Sequence, residues 1–211
     1  MHDLIFIGDS ITKGTYTAPG EPAPLSVADP NFATLLSQRF GMPDMLNYGR
    51  NGISYSSLSP VESAFALACV CEEFEEARNI FLLAGTNDFG TNVPLGAPED
   101  RGDVSFFGAV DYVFSVMRKK NPEAAIFTVL PIPRANEINR LGLSLDDYRE
   151  AISEIAERHG IYVIDGRKLP ICPQNEEERE RLLYDGTHPT EEGHRLMAEF
   201  IAEQAEKLLV R

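Results

Sequence analysis

The sequence has no apolar run approaching the roughly 18–20 residues that a membrane span requires. Its first apolar run, Leu4–Ile7, leads straight into Gly8-Asp9-Ser10. No basic leader, apolar core and small-residue cleavage site precede it, so a cytoplasmic protein is expected. Positive charge is scarce: 19 Lys and Arg against 33 Asp and Glu leave a net charge of −14. That balance argues against nucleic acid and anionic membrane as partners, because both reward clustered Lys and Arg. A neutral small molecule fits better. Cysteine occurs only three times. Cys69 and Cys71 are two apart on an expected helix and so point roughly 200° away from each other, and Cys172 has no evident partner. This is not a disulfide framework. No further cluster of His, Cys and carboxylates has metal-ligand spacing. Internal repeats and low-complexity tails are missing too.

What remains is an ordinary soluble composition over 211 residues, 43% apolar and 25% charged, enough for a single domain spanning 1–211. Five short runs read as strands: Leu4–Ile7, Met45–Tyr48, Asn79–Leu83, Ala125–Leu130 and Ile161–Ile164. They are nearly continuous in apolar character, as strands covered on both faces are. Helical segments alternate with them: Asn31–Phe40, Ser59–Arg78, Val104–Lys120, Leu145–His159 before Gly160, and about Glu191–Leu209 after a Thr190 cap. Phe107, Val110, Phe114 and Met117 read as a core stripe, and Leu196, Phe200 and Leu208 as the buried face of the last helix. The alternation predicts an α/β fold, a parallel sheet with helices on both faces.

Sites in such folds lie beyond the carboxyl ends of the strands. The segments there are Gly8-Asp9-Ser10, Gly49–Gly52, Gly85–Asp88, Pro131–Arg134 and the stretch from Asp165 to His188. Two irregular segments, Thr15–Pro30 and Phe89–Asp103, are long enough to serve as pocket walls. A serine hydroxyl needs a base to act as a nucleophile, most often a histidine oriented by a carboxylate. Of the four histidines, His188 stands in "YDGTHPTEEG", three residues after Asp185. A turn through Gly186 and Thr187 can bring the Asp185 carboxylate to the imidazole. The same residues can instead form an Asx-turn leading into the last helix. A tetrahedral intermediate needs donors for its oxyanion. "NYGRNGIS" offers the Gly52 N–H, "AGTND" the Asn87 amide, and Ser10 its own N–H. Asp9 and Asp88 read as structural, bonding local backbone N–H groups. Tyr16, Arg50 and Phe89 follow these motifs closely enough to line a substrate pocket.

In order, "GDSIT", "NYGRNGIS", "GTND" and "DGTHP" resemble the four main sequence blocks of the SGNH hydrolases, the GDSL-type esterases and lipases. The blocks run from residue 8 to residue 189, nearly the whole chain. The resemblance implies a three-layer α/β/α sandwich, flavodoxin-like, around a five-stranded parallel sheet. It implies Ser10 as nucleophile, His188 as base, Asp185 orienting that base, and Ser10, Gly52 and Asn87 as the oxyanion hole, with no cofactor. The family's usual leucine after Gly-Asp-Ser is Ile11 here. The other large α/β-hydrolase class is disfavoured, because no G-x-S-x-G elbow is present.

The expected activity is hydrolysis of short-acyl esters, such as acetyl esters of small molecules or sugars. A lysophospholipase or thioesterase acting on longer acyl chains is the alternative within the family. A non-catalytic module holding phosphate on "GDSITKGT" through Lys13 is the rival outside it. The Rossmann and P-loop patterns that such a module would use are both absent.

Overall fold

The computed structural model describes residues 1–24, 26–60 and 75–209. Its main sheet has five parallel strands: β1 (His2–Gly8), β4 (Met45–Gly49), β5 (Ala77–Leu83), β6 (Ala125–Val129) and β7 (Tyr162–Ile164), in the order β4-β1-β5-β6-β7. Counted within the sheet, that is 2-1-3-4-5, the flavodoxin order. The period of two along each strand divides the side chains between two cores. Ile5, Ile7, Ile80, Leu82 and Ile126 face one side. Leu4, Phe6, Phe81, Leu83, Phe127 and Val129 face the other. In-register pairing aligns Phe6, Phe81 and Phe127 across three strands. Their rings stack at 5.5 and 4.7 Å, a ladder that fixes the register of the sheet centre.

Helices α4 (Phe106–Lys120) and α5 (Leu145–Arg158) cover the first face. Helices α2 (Phe32–Phe40) and α7 (Glu191–Leu209) cover the second. Each starts where a side chain accepts an orphan N–H: Asn31 from Thr34, Ser105 from Gly108, Ser144 from Asp147, and Thr190 from Gly193. Short α-helices α1 (Ser10–Lys13), α3 (Thr86–Gly90) and α6 (Glu176–Leu182) and a 3-10 turn at Gly166–Lys168 complete the described set.

Three expectations change. The anticipated Ser59–Arg78 helix falls mostly on residues outside the described ones, Cys69 and Cys71 included. At its ends, Ser59 lies in a bend and Ala77 and Arg78 already belong to β5. There the Ala77 N–H donates to Asn121 Oδ1 at 3.1 Å, and Ala77 pairs with His2. The buried stripe of α7 is centred on Met197, Ala198, Ile201, Ala202 and Ala205, with Leu196, Phe200 and Leu208 on its flanks. Alanines let α7 approach the sheet closely, so the larger residues fill the margins. The Thr15–Pro30 segment is also less irregular than expected. It holds a two-stranded antiparallel ribbon, β2 (Thr15–Tyr16) with β3 (Ser26–Val27).

Candidate active site

The strand order places the turns after β4, β1 and β5 side by side, because β1 lies between the other two. Gly8 ends β1 where a Cβ would sit 2.1 Å from the Leu83 carbonyl oxygen and 2.3 Å from Thr12 Oγ1, at φ +155. Only glycine permits that approach. The chain then turns at Asp9, whose Oδ1 accepts the Ile11 N–H at 2.9 Å and caps α1. Ser10 is the first residue of that helix and is 6% exposed.

Ser10 Oγ lies 2.8 Å from His188 Nε2, although 178 residues separate them. His188 Nδ1 lies 2.8 Å from Asp185 Oδ2. A carboxylate only accepts, so this second contact places the ring proton on Nδ1 and leaves Nε2 to accept from the serine hydroxyl. Asp185 Oδ1 accepts the backbone N–H groups of Thr187 and His188 at 2.9 and 2.8 Å. The two readings of this motif are therefore both realised. One oxygen closes an Asx-turn and the other holds the imidazole. Gly186 sits at φ +79 inside that turn. Burial works to raise the Asp185 pKa, but hydrogen bonds from the His188 ring, the His188 backbone and Thr17 outweigh it. The carboxyl is held well below the usual range.

Thr17 is a member that sequence reasoning missed. Its hydroxyl donates to Asp185 Oδ2 at 2.7 Å, and it is 5% exposed. It reaches the acid from the segment that begins with β2, and nothing in its local sequence marks that role.

The oxyanion candidates lie in turns at the same edge of the sheet as Ser10. Gly52 occupies the turn after β4 at φ +74, and the Arg50 N–H ties that turn to the Gly8 carbonyl at 2.9 Å. Asn87 is the second residue of α3, and its Nδ2 donates to the Ile53 carbonyl at 2.8 Å. That bond orients the amide and uses one of its two hydrogens. Asp88 is fully buried and accepts the Tyr55 and Ser56 N–H groups at 3.0 and 2.9 Å. Its partners are thus long-range, not the local ones expected, and they pin the Gly52 loop against α3. Burial pushes Asp88 up to about 7 and Asp9 up to about 6.

The pocket candidates divide. Tyr16 is half-buried in β2 and Arg50 is exposed at the rim. Phe89 is 2% exposed, edge-on to Tyr148 and beneath the Arg134 guanidinium. It packs beneath Arg134 as part of the core. Cys172 is an exposed free thiol. Among the described residues, no group of three His, Cys, Asp or Glu is disposed to hold a metal ion. No helix among them is long and apolar enough to cross a membrane.

The chain belongs to the GDSL-like lipase/acylhydrolase family, whose model matches residues 6–196. Among curated proteins, none matches it. Solved structures share the fold at low identity. A Lactobacillus plantarum protein is 21% identical at a TM-score of 0.84, with 98% of this chain and 97% of that chain covered. An aryl esterase of M. smegmatis is 17% identical at a TM-score of 0.67, covering 99% and 100%. A carbohydrate acetylesterase from Sinorhizobium meliloti is 13% identical at a TM-score of 0.69, covering 99% and 100%.

Proposed function

We propose that this chain is a serine esterase that hydrolyses short-acyl carboxylic esters through an acyl-enzyme intermediate. The continuous hydrogen-bond chain Ser10–His188–Asp185, at 2.8 Å for each link, carries this reading. Ser10 Oγ attacks the ester carbonyl carbon while His188 Nε2 takes its proton. Asp185, kept ionised, stabilises the imidazolium that forms. The oxyanion develops within reach of the Ser10 N–H, the Gly52 N–H and the free hydrogen of Asn87 Nδ2. His188 then protonates the leaving alkoxide, and the alcohol departs. A water molecule, deprotonated by the same nitrogen, attacks the acyl carbon and frees Ser10. The substrate is a small molecule, and the cytoplasm is the proposed compartment.

A solved structure of this fold named as a carbohydrate acetylesterase supports a short acyl group over the long chain of a lysophospholipid or thioester. A series of para-nitrophenyl esters of increasing acyl length tests the point, because each buried methylene contributes about 0.8 kcal/mol where a pocket accepts it. The kcat/KM value is expected to fall sharply beyond about four carbons, because a site shaped for a short acyl group gains nothing from further methylenes. A steady rise with length would assign the site to long-chain substrates instead.

A further inference from the structure

After β6 the chain runs through Pro131, Ile132 and Pro133 to Arg134, and two contacts fix where this residue lies. The next residue, Ala135, donates its N–H to the Gly186 carbonyl at 2.7 Å, one position from Asp185. Arg134 Nη1 donates to the carbonyl and hydroxyl oxygens of Thr86 at 3.2 and 3.0 Å, one position before Asn87. The guanidinium therefore sits between the loop that carries His188 and Asp185 and the turn that carries the Asn87 amide. The Glu137, Asp185 and Asp9 charges all act on it. Its carbon centre lies 5.3 Å from the centroid of the Phe89 ring, and Tyr148 buttresses that ring from the side.

Only part of this guanidinium is used. Arg134 Nε is buried and has no hydrogen-bond partner. Among the described residues, Nη2 has no hydrogen-bond partner either. Arg149, anchored to the same loop, is the contrast. Its Nε donates to the Pro131 carbonyl at 2.7 Å and its Nη2 to the Ile132 carbonyl at 3.0 Å. Asp146 and Glu137 take its remaining donors. Arg149 is fully satisfied and structural. Arg134 is held through Nη1 but keeps Nη2 unspent, a cationic donor suited to a carboxylate. A buried donor such as Nε is rarely left without a partner. Glu137 accepts the Arg134 backbone N–H at 3.2 Å and the Arg149 guanidinium, but no hydrogen bond joins it to the Arg134 guanidinium.

We propose that Arg134 selects esters bearing a carboxylate, which pairs with Nη2 while the ester carbonyl lies at Ser10. The inference rests on the reading of Ser10 as the nucleophile. It also revises the expectation of a neutral substrate. A net charge of −14 repels anions in general, so an anionic substrate needs a local cation of this kind. The carboxylate belongs to either the acyl or the alcohol half.

Two matched pairs of esters separate these sources. Mono-para-nitrophenyl succinate against para-nitrophenyl butyrate places the charge on the acyl side. Para-acetoxybenzoate against its methyl ester places it on the alcohol side. The readout is the ratio of kcat/KM, anionic over neutral, in the wild type, Arg134→Gln and Arg134→Lys. One ratio is expected to fall roughly 10–100-fold in Arg134→Gln, the worth of a charge-assisted pair. Arg134→Lys should keep the charge and recover part of the loss. Both ratios unchanged, with neutral esters turned over, would overturn the proposal and leave the esterase reading standing. If the wild type hydrolyses none of these esters, the esterase reading fails, and anion recognition is judged by melting temperature. Succinate, but not succinamide, should then raise the Tm of the wild type and not that of Arg134→Gln. Equal responses of the two proteins would overturn the inference.

Discussion

At the residue scale, the site depends on which oxygen of Asp185 does what. Oδ1 is spent on the turn, and Oδ2 serves both His188 and the Thr17 hydroxyl. Thr17 therefore fixes the rotation of the carboxylate and, through it, of the imidazole. Thr17→Val keeps the shape and removes the donor. It should lower kcat by about tenfold, the low end of a hydrogen bond to a charged group. Thr17→Ser should restore most of the loss, which a purely packing role for the methyl group would not allow. Steady-state kinetics on one neutral ester decides between them. Ser10, Asp185 and His188 were legible because each lies in a short motif at a strand end. Thr17 was not, since its partner is 168 residues away and only folding brings the two together. Arg134 lay in a segment whose position drew attention, but whether its donors were spent depended on tertiary contacts.

At the element scale, strand runs and helix caps were legible because burial on both faces and side-chain capping leave local marks. The two-residue ribbon β2–β3 left none. The last helix is legible, but its buried stripe lies one step from the one its large residues mark, because alanine contributes little to an apolar pattern. His194 lies in that stripe, fully buried, with its ring stacked on Phe32 at 5.9 Å. The Phe32 N–H reaches its Nδ1 at 3.4 Å, while Nε2 has no partner. Burial, with a smaller contribution from His188, pushes its pKa down from 6.5 to about 4. Unfolded chains thus bind a proton below pH 6.5 that the native helix refuses. The stabilisation is complete above 6.5 and is lost as pH falls through about 4. A His194→Gln variant lacks this titration. Denaturant unfolding of both proteins should show the wild type losing on the order of 3 kcal/mol more than the variant across that range. Parallel pH profiles would show that His194 titrates normally in the native state.

At the scale of the whole molecule, the order β4-β1-β5-β6-β7 does the assembling. It sets the turns bearing Gly52, Ser10 and Asn87 next to one another, and the Arg134 loop beside the turn bearing His188. Alternating strands and helices made this layout legible in outline, since active sites of such sheets gather at one edge. The direction of each donor was not legible, because it depends on packing between elements far apart in sequence. The central claim is that this edge activates Ser10. Its most direct test is intact-mass spectrometry with peptide mapping after exposure to a fluorophosphonate, on the wild type and on His188→Ala. A single adduct on Ser10 of the wild type, lost in His188→Ala, is the predicted result. Folded wild-type protein that takes up no adduct, or carries it on another residue, would contradict the account.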